Sequence, residues 1–92
     1  MEIKYIIKNQ EGKIYMKGQG YRNLVFSKNG KSFKSIKMLK AALKGMIKHN
    51  AEDYNGIYLE QMKKLIVTWE IVAIEIVEKP MINEIANFMK EI

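Results

Sequence analysis

The chain has 92 residues, a formal net charge of +6, one histidine and no cysteine. That length holds one domain without room for a second core, and the lack of cysteine excludes disulfides and thiolate metal sites. No stretch approaches the roughly 20 apolar residues that span a bilayer, and Met1-Glu2-Ile3-Lys4 lacks a basic-then-apolar leader. A reducing, cytoplasmic setting is the expectation that fits.

Ile3, Tyr5 and Ile7 alternate with other residues, and Lys13-Ile14-Tyr15-Met16-Lys17 alternates again. Between them, Asn9-Gln10-Glu11-Gly12 supplies residues that tolerate positive φ, so a β-hairpin is predicted. Gly18-Gln19-Gly20 breaks the pattern and opens a connection through Tyr21-Arg22-Asn23. Leu24-Val25-Phe26 reads as a short third strand, closed by the turn signal Asn29-Gly30.

Residues 33–49 carry the clearest helical pattern. Advancing about 100° per residue, Ile36, Leu39, Leu43, Met46 and Ile47 fall on one side, with Ala42 at the edge. Lys34, Lys37, Lys40, Lys44 and Lys48 fall opposite, within an arc of about 120°. Ser32 or Ser35 is placed to cap the start, and Asn50 to end the helix in the left-handed conformation.

Residues 51–64 carry weaker signals. Asn55-Gly56 marks a turn, and Ile57-Tyr58-Leu59 fits either a short strand or a helical turn. Leu65 to Glu78 forms a β-rich run: Leu65, Val67, Trp69 and Ile71 share one face, and Val72, Ile74 and Ile76 the other. The change of phase near Val72-Ala73 predicts a bulge or bend. Pro80 suits the first position of a final helix, with Ile82, Ile85, Ala86, Met89 and Ile92 as its apolar stripe. The expected fold is α+β: an antiparallel sheet of hairpin, short strand and long bent strand, covered on one face by two helices.

Charge is distributed unevenly along this order. Residues 1–48 hold eleven lysines and Arg22 against Glu2 and Glu11, a balance of +10. Residues 49–92 hold four lysines against Asp53 and seven glutamates, a balance of −4. A basic front half points to an anionic partner. Fifteen lysines to one arginine, with 14 isoleucines and 7 asparagines, is also what AT-rich coding produces. Lysine lacks the planar fork that reads base edges, so a general anionic preference is expected.

Catalytic chemistry is thinly provided. His49 and Asp53 are the only histidine and aspartate, no oxyanion loop accompanies them, and His49 fits a helix C-terminus favoured by the dipole. His49, Glu52 and Asp53 form a cluster too ordinary to predict a metal site, and no cofactor is expected. Glu70, Glu75 and Glu78 are expected to pair across the sheet with Lys4, Lys8, Lys13 or Lys17. Gly30-Lys31-Ser32 ends like a phosphate loop, but the glycine required five residues earlier is Val25. A weaker anion site at the helix start, ringed by Lys28, Lys31 and Lys34, is the form that survives. Aromatics are interleaved with these cations, and Tyr21, on its glycine-flanked loop, is the best candidate for an exposed stacking residue. The candidate binding residues are therefore Tyr21, Arg22, Lys28, Lys31, Lys34, Lys37, Lys40, Lys44 and Lys48.

Several fragments taken together, Lys4-Tyr5-Ile6-Ile7, Gly12-Lys13-Ile14-Tyr15, Phe33-Lys34-Ser35, Lys40-Ala41-Ala42-Leu43, Trp69-Glu70-Ile71-Val72 and Glu75-Ile76-Val77-Glu78, resemble small proteins of phages and prophages of low-GC Gram-positive bacteria. The resemblance implies an accessory protein of a mobile element, of a kind that often binds and blocks a host factor such as a defence nuclease. The expected function is then non-enzymatic inhibition of a host protein or protein–nucleic acid complex. The alternatives are direct, weakly specific DNA or RNA binding through the lysine helix, and an oligomeric sponge for an anionic nucleotide signal.

Overall fold

The computed structural model describes residues 3–75 and 78–92. It is an α+β fold whose antiparallel sheet carries helices, as expected. In chain order the elements are β1 (Lys4–Lys8), β2 (Ile14–Lys17), β3 (Val25–Ser27), α1 (Ile36–Glu52), a 3-10 turn (Asp53–Gly56), α2 (Leu59–Ile66), β4 (Glu70–Ile74), β5 (Glu78–Pro80) and α3 (Glu84–Lys90). The sheet order is β3-β2-β1-β4-β5, with every neighbouring pair antiparallel.

The hairpin forms because Asn9 turns the chain with its side chain as well as its backbone. Its Oδ1 accepts from the N–H of Glu11 and of Lys13, each at 3.0 Å, and Gly12 takes a φ of 79°. Lys8 and Ile14 are the strand residues paired across β1 and β2. Beyond them residues 31–33 enter between the two strands. The Lys31 N–H donates to the Tyr15 carbonyl at 2.7 Å, and Phe33 and Tyr5 exchange both backbone bonds. Gly30 is required at this crossing, since a Cβ there would lie 2.4 Å from Ile14 Cγ2.

That insertion corrects the predicted start of the helix. Phe33 is a buried β-bridge residue, and α1 begins at Ile36 with Ser35 as its cap, whose Oγ accepts from the Met38 N–H at 3.2 Å. The apolar stripe behaves as expected: Leu39, Leu43, Met46 and Ile47 are buried. Each contributes about 1.5–3 kcal/mol gross by leaving water. The core they enter combines Ile7, Tyr15 and Ile71 of the sheet with Met62 and Ile66 of α2 and Ile85 and Phe88 of α3. On the far face of the sheet Ile6 and Val72 stand opposite each other and are also buried.

The second half departs further from expectation. Asn50 does not end α1; it is a buried helical residue, and the helix runs on to Glu52. Positive φ falls instead at Asn55 and Gly56, and a further helix, α2, occupies part of the weakly signalled stretch. Its buried Met62 and Ile66 lie on one face at i, i+4. The run from Leu65 to Glu78 is therefore a helix end, the strand β4 and the start of β5. The β1–β4 register is continuous from Lys8↔Glu70 to Lys4↔Ile74, so no bulge lies at Val72-Ala73; Ile76 lies outside the described residues. The sheet's irregularity sits between β2 and β3, at Tyr15/Lys17. Pro80 ends β5 and starts no helix: it pairs opposite Val72 at the sheet edge, where a missing N–H costs least.

Candidate functional site

The exposed side of α1 presents Lys37, Lys44 and Lys48. Their spacing places them within an arc of about 40° and along about 16 Å of helix, at 1.5 Å per residue. Among the described residues none of the three enters an ion pair. Like charges in a line repel one another, and the row persists because water screens it.

Lys40 has a different environment. Its Nζ lies 3.3 Å from Glu84 Oε2 and 4.0 Å from Glu91 Oε1, with 22% of its side chain exposed. It ties α3 to α1 and leaves the predicted basic face. Lys34 is exposed just before the Ser35 cap, while Lys28 follows β3 and Lys31 lies in the hairpin fork, its Nζ 5.2 Å from the centre of the Phe33 ring. The three lysines expected to ring the helix start thus sit on three different segments. The Lys31 and Phe33 N–H groups are spent on the sheet, and Ser35 satisfies that of Met38.

The predicted loop residues Tyr21 and Arg22 do join the helix, through Asn50. Its Oδ1 accepts from the Tyr21 N–H at 3.1 Å, and its amide nitrogen donates to the Gln19 carbonyl at 2.8 Å and the Met46 carbonyl at 2.7 Å. One buried side chain thus fixes the loop against the last turns of α1. The loop's start is held by Tyr15, whose hydroxyl donates to the Gly18 carbonyl at 2.8 Å. Burial pushes the Tyr15 phenol above its usual pKa. Gly18, with a φ of 99°, passes so close to Asn23 that a Cβ would meet its carbonyl oxygen at 2.4 Å.

The Tyr21 ring stacks on Tyr58, with centroids 5.9 Å apart and planes 15° apart. Gly20, Tyr21, Arg22, Asn23, Asn50, Asp53 and Tyr58 line a cavity of about 320 Å³ beside that stack. His49 has its Nε2 3.8 Å from Asp53 Oδ2, beyond hydrogen-bond length. The serines are engaged elsewhere in two cases, Ser35 at its cap and Ser27 against Met16. Among the described residues no group of three His, Asp or Glu side chains gathers to hold a metal.

Sequence reasoning missed Tyr58 and Asn50. Tyr58 falls in the weakly signalled stretch and meets Tyr21 only through the tertiary fold. Asn50 did carry a signal: at 100° per residue it falls between Leu39 and Leu43 on the apolar side of α1, where a polar group needs partners. A second cavity, of about 510 Å³, lies between β4 and α3; Trp69, Ile71, Met81, Ile85 and Met89 line it, and exposed Val67 and Ile82 flank it.

No family model, no curated protein and no solved structure matches this chain. No described helix is long and apolar enough to cross a membrane.

Proposed function

We propose that this protein is a non-enzymatic binder of nucleic acid that follows phosphates with Lys37, Lys44 and Lys48 and presents Tyr21 and Arg22 beside the C-terminal end of α1. The observation that carries this reading is the alignment of three exposed lysines without acidic partners among the described residues. Aromatic side chains beside a basic track are the general means of holding single strands without strong sequence preference. The reading places the protein's action in the bacterial cytoplasm, with a host nucleic-acid-handling system as the proposed setting.

Titration of labelled single- and double-stranded DNA and RNA from about 50 to 300 mM salt tests it. Three neutralised phosphates give a slope of about −2 in log affinity against log salt for a single strand. The triple reversal Lys37→Glu, Lys44→Glu, Lys48→Glu abolishes binding. Absence of binding by the native chain at the lowest salt rules the reading out.

A second reading, inhibition of a host protein, draws support from the apolar groove between β4 and α3. Exposed Val67 and Ile82 beside a groove of about 510 Å³ offer a protein partner apolar surface to cover. Under this reading Ile82→Lys weakens capture of a protein partner from host extract, while the lysine reversals leave it unchanged.

A further inference from the structure

We infer that the cavity beside the Tyr21–Tyr58 stack is a seat for one unpaired guanine base of a strand whose backbone lies along the lysine row. The inference rests on the nucleic-acid reading above and gives it a base-contacting site.

The chemistry of the cavity argues for a neutral ring over a phosphate. Asp53 lines it, with 46% of its side chain exposed. A carboxylate repels a phosphate at this range but accepts strongly from N–H donors. Arg22 lines the same cavity and supplies donors. It is the one arginine of a chain with fifteen lysines, so the only planar guanidinium available lies at this position. A ligand suited to both groups must offer acceptors on one edge and donors on another while presenting a flat face to the tyrosines. Guanine does so: O6 and N7 accept from arginine in the most frequent specific base contact, and its N1–H and N2–H₂ donors match a carboxylate.

Position and rigidity favour the same ligand. Lys48, the last lysine of the row, is next in sequence to His49. Around the helix His49 stands about 100° from Lys48, and its Nε2 is 3.6 Å from where a Cβ on Gly20 would sit, so a strand leaving the row turns around the end of α1 past His49 to reach the cavity. At about 320 Å³ the cavity stands at the small end of ligand pockets, which run from roughly 300 to 1,000 Å³. Gly20 lines it, and a Cβ there would lie 3.1 Å from the Asn23 amide nitrogen and press on that side chain. The Asn50 hydrogen bonds hold the loop before any ligand arrives, so little ordering entropy is lost on binding.

The test compares two labelled 11-nucleotide DNA strands, all thymine and thymine with one central guanine, at a salt concentration where the all-thymine strand binds. The native chain should bind the guanine strand about tenfold more tightly. Asp53→Asn should erase that advantage without weakening the all-thymine strand, whose phosphates then meet one anion fewer, and Tyr21→Ala should weaken the guanine strand most. Both positions are exposed, so neither change removes core packing, and an unchanged melting temperature confirms the fold. Equal native affinity for the two strands overturns the guanine seat while the lysine row stands. Guanine preference that survives Asp53→Asn overturns the assignment of Asp53 and with it the seat as described. Binding of neither strand at low salt overturns the nucleic-acid reading and this inference together.

Discussion

The two flanks of α1 are each joined to a neighbouring segment, and by different physics. On one flank, the buried side chain of Asn50 holds the loop of Gln19 and Tyr21 with hydrogen bonds between uncharged groups. On the other, Lys40 reaches Glu84 of α3 and Glu91 just after it through partly exposed ion pairs. On the exposed face, Lys37, Lys44 and Lys48 project into solvent. Five lysines predicted to act alike from their spacing thus divide by what the fold places beside them: a charge becomes available to a partner only where the protein leaves it unpaired.

The largest effect is expected on the buried flank. Asn50→Ala leaves the Tyr21 N–H and the Gln19 carbonyl without their partner, at a cost of about 1–3 kcal/mol in unfolding free energy. Because the lost bonds join uncharged groups, denaturant midpoints should show nearly the same loss at low and high salt. The tyrosine stack should also loosen, read as increased quenching of tyrosine fluorescence. A loss that disappears in high salt would break the comparison, since it would show that both flanks depend on charge.

Tyr15 secures the start of the same loop, and Tyr15→Phe should cost about 0.5–1.5 kcal/mol through the lost bond to the Gly18 carbonyl. Its pH dependence has a definite sign. Burial raises the phenol's pKa in the folded protein above its value of about 10 in the unfolded chain. The associated stability is therefore fully present below pH of about 10 and is lost as pH rises through the folded value. Denaturant midpoints measured from neutral pH into that alkaline range should fall for the native chain and fall less for Tyr15→Phe.

The elements differ in how openly the sequence announced them, for physical reasons. The α1 stripe was readable because five turns of periodic apolar residues outweigh local noise, and the hairpin because Asn9 and Gly12 are turn residues with a geometric task. Phe33 misled because it stands three residues before Ile36, in phase with the stripe, although its backbone belongs to a bridge with Tyr5. Ile66 and Val67, β-branched and adjacent to Trp69, made the end of α2 look like the start of β4. Pro80 suits a helix start and an edge strand equally well, and only the pairing with Val72 separates them. At the candidate site, flanking glycines exposed Tyr21 and Arg22 to view. The residue that positions them is 29 positions from Tyr21 and 31 from Gln19, a distance no local pattern spans.

On the ion-paired flank the effect should be smaller and dependent on salt. Lys40→Met removes both contacts to α3 while keeping the apolar stem, so the expected loss is about 0.5–1 kcal/mol at low ionic strength. Because only about a quarter of the Lys40 and Glu84 side chains is exposed, screening is incomplete, yet most of the loss should vanish near 1 M salt, where the Debye length is about 3 Å. The contrast with Asn50→Ala is sharpest when both variants are measured across the same salt series.

The smallest stability effect should come from the row itself. Lys37, Lys44 and Lys48 hold no ion pair among the described residues, so a single reversal such as Lys44→Glu removes no native contact of charge. Surface changes of this kind stay within about 0.5 kcal/mol, and reduced repulsion along the row makes a slight stabilisation the expected sign. The same substitution acts on binding in the opposite direction: it deletes one cation and adds an anion on the phosphate track, which should weaken a single strand about tenfold at low salt and reduce the salt slope by about 0.7. Thermal melting and strand titration on one preparation therefore separate the two kinds of lysine. A row that serves binding gives a stable protein that has lost affinity, whereas Lys40→Met gives a less stable protein whose affinity is nearly intact. Equal effects of Lys44→Glu and Lys40→Met in both assays would mean that pairing with α3 does not decide which lysines meet a partner.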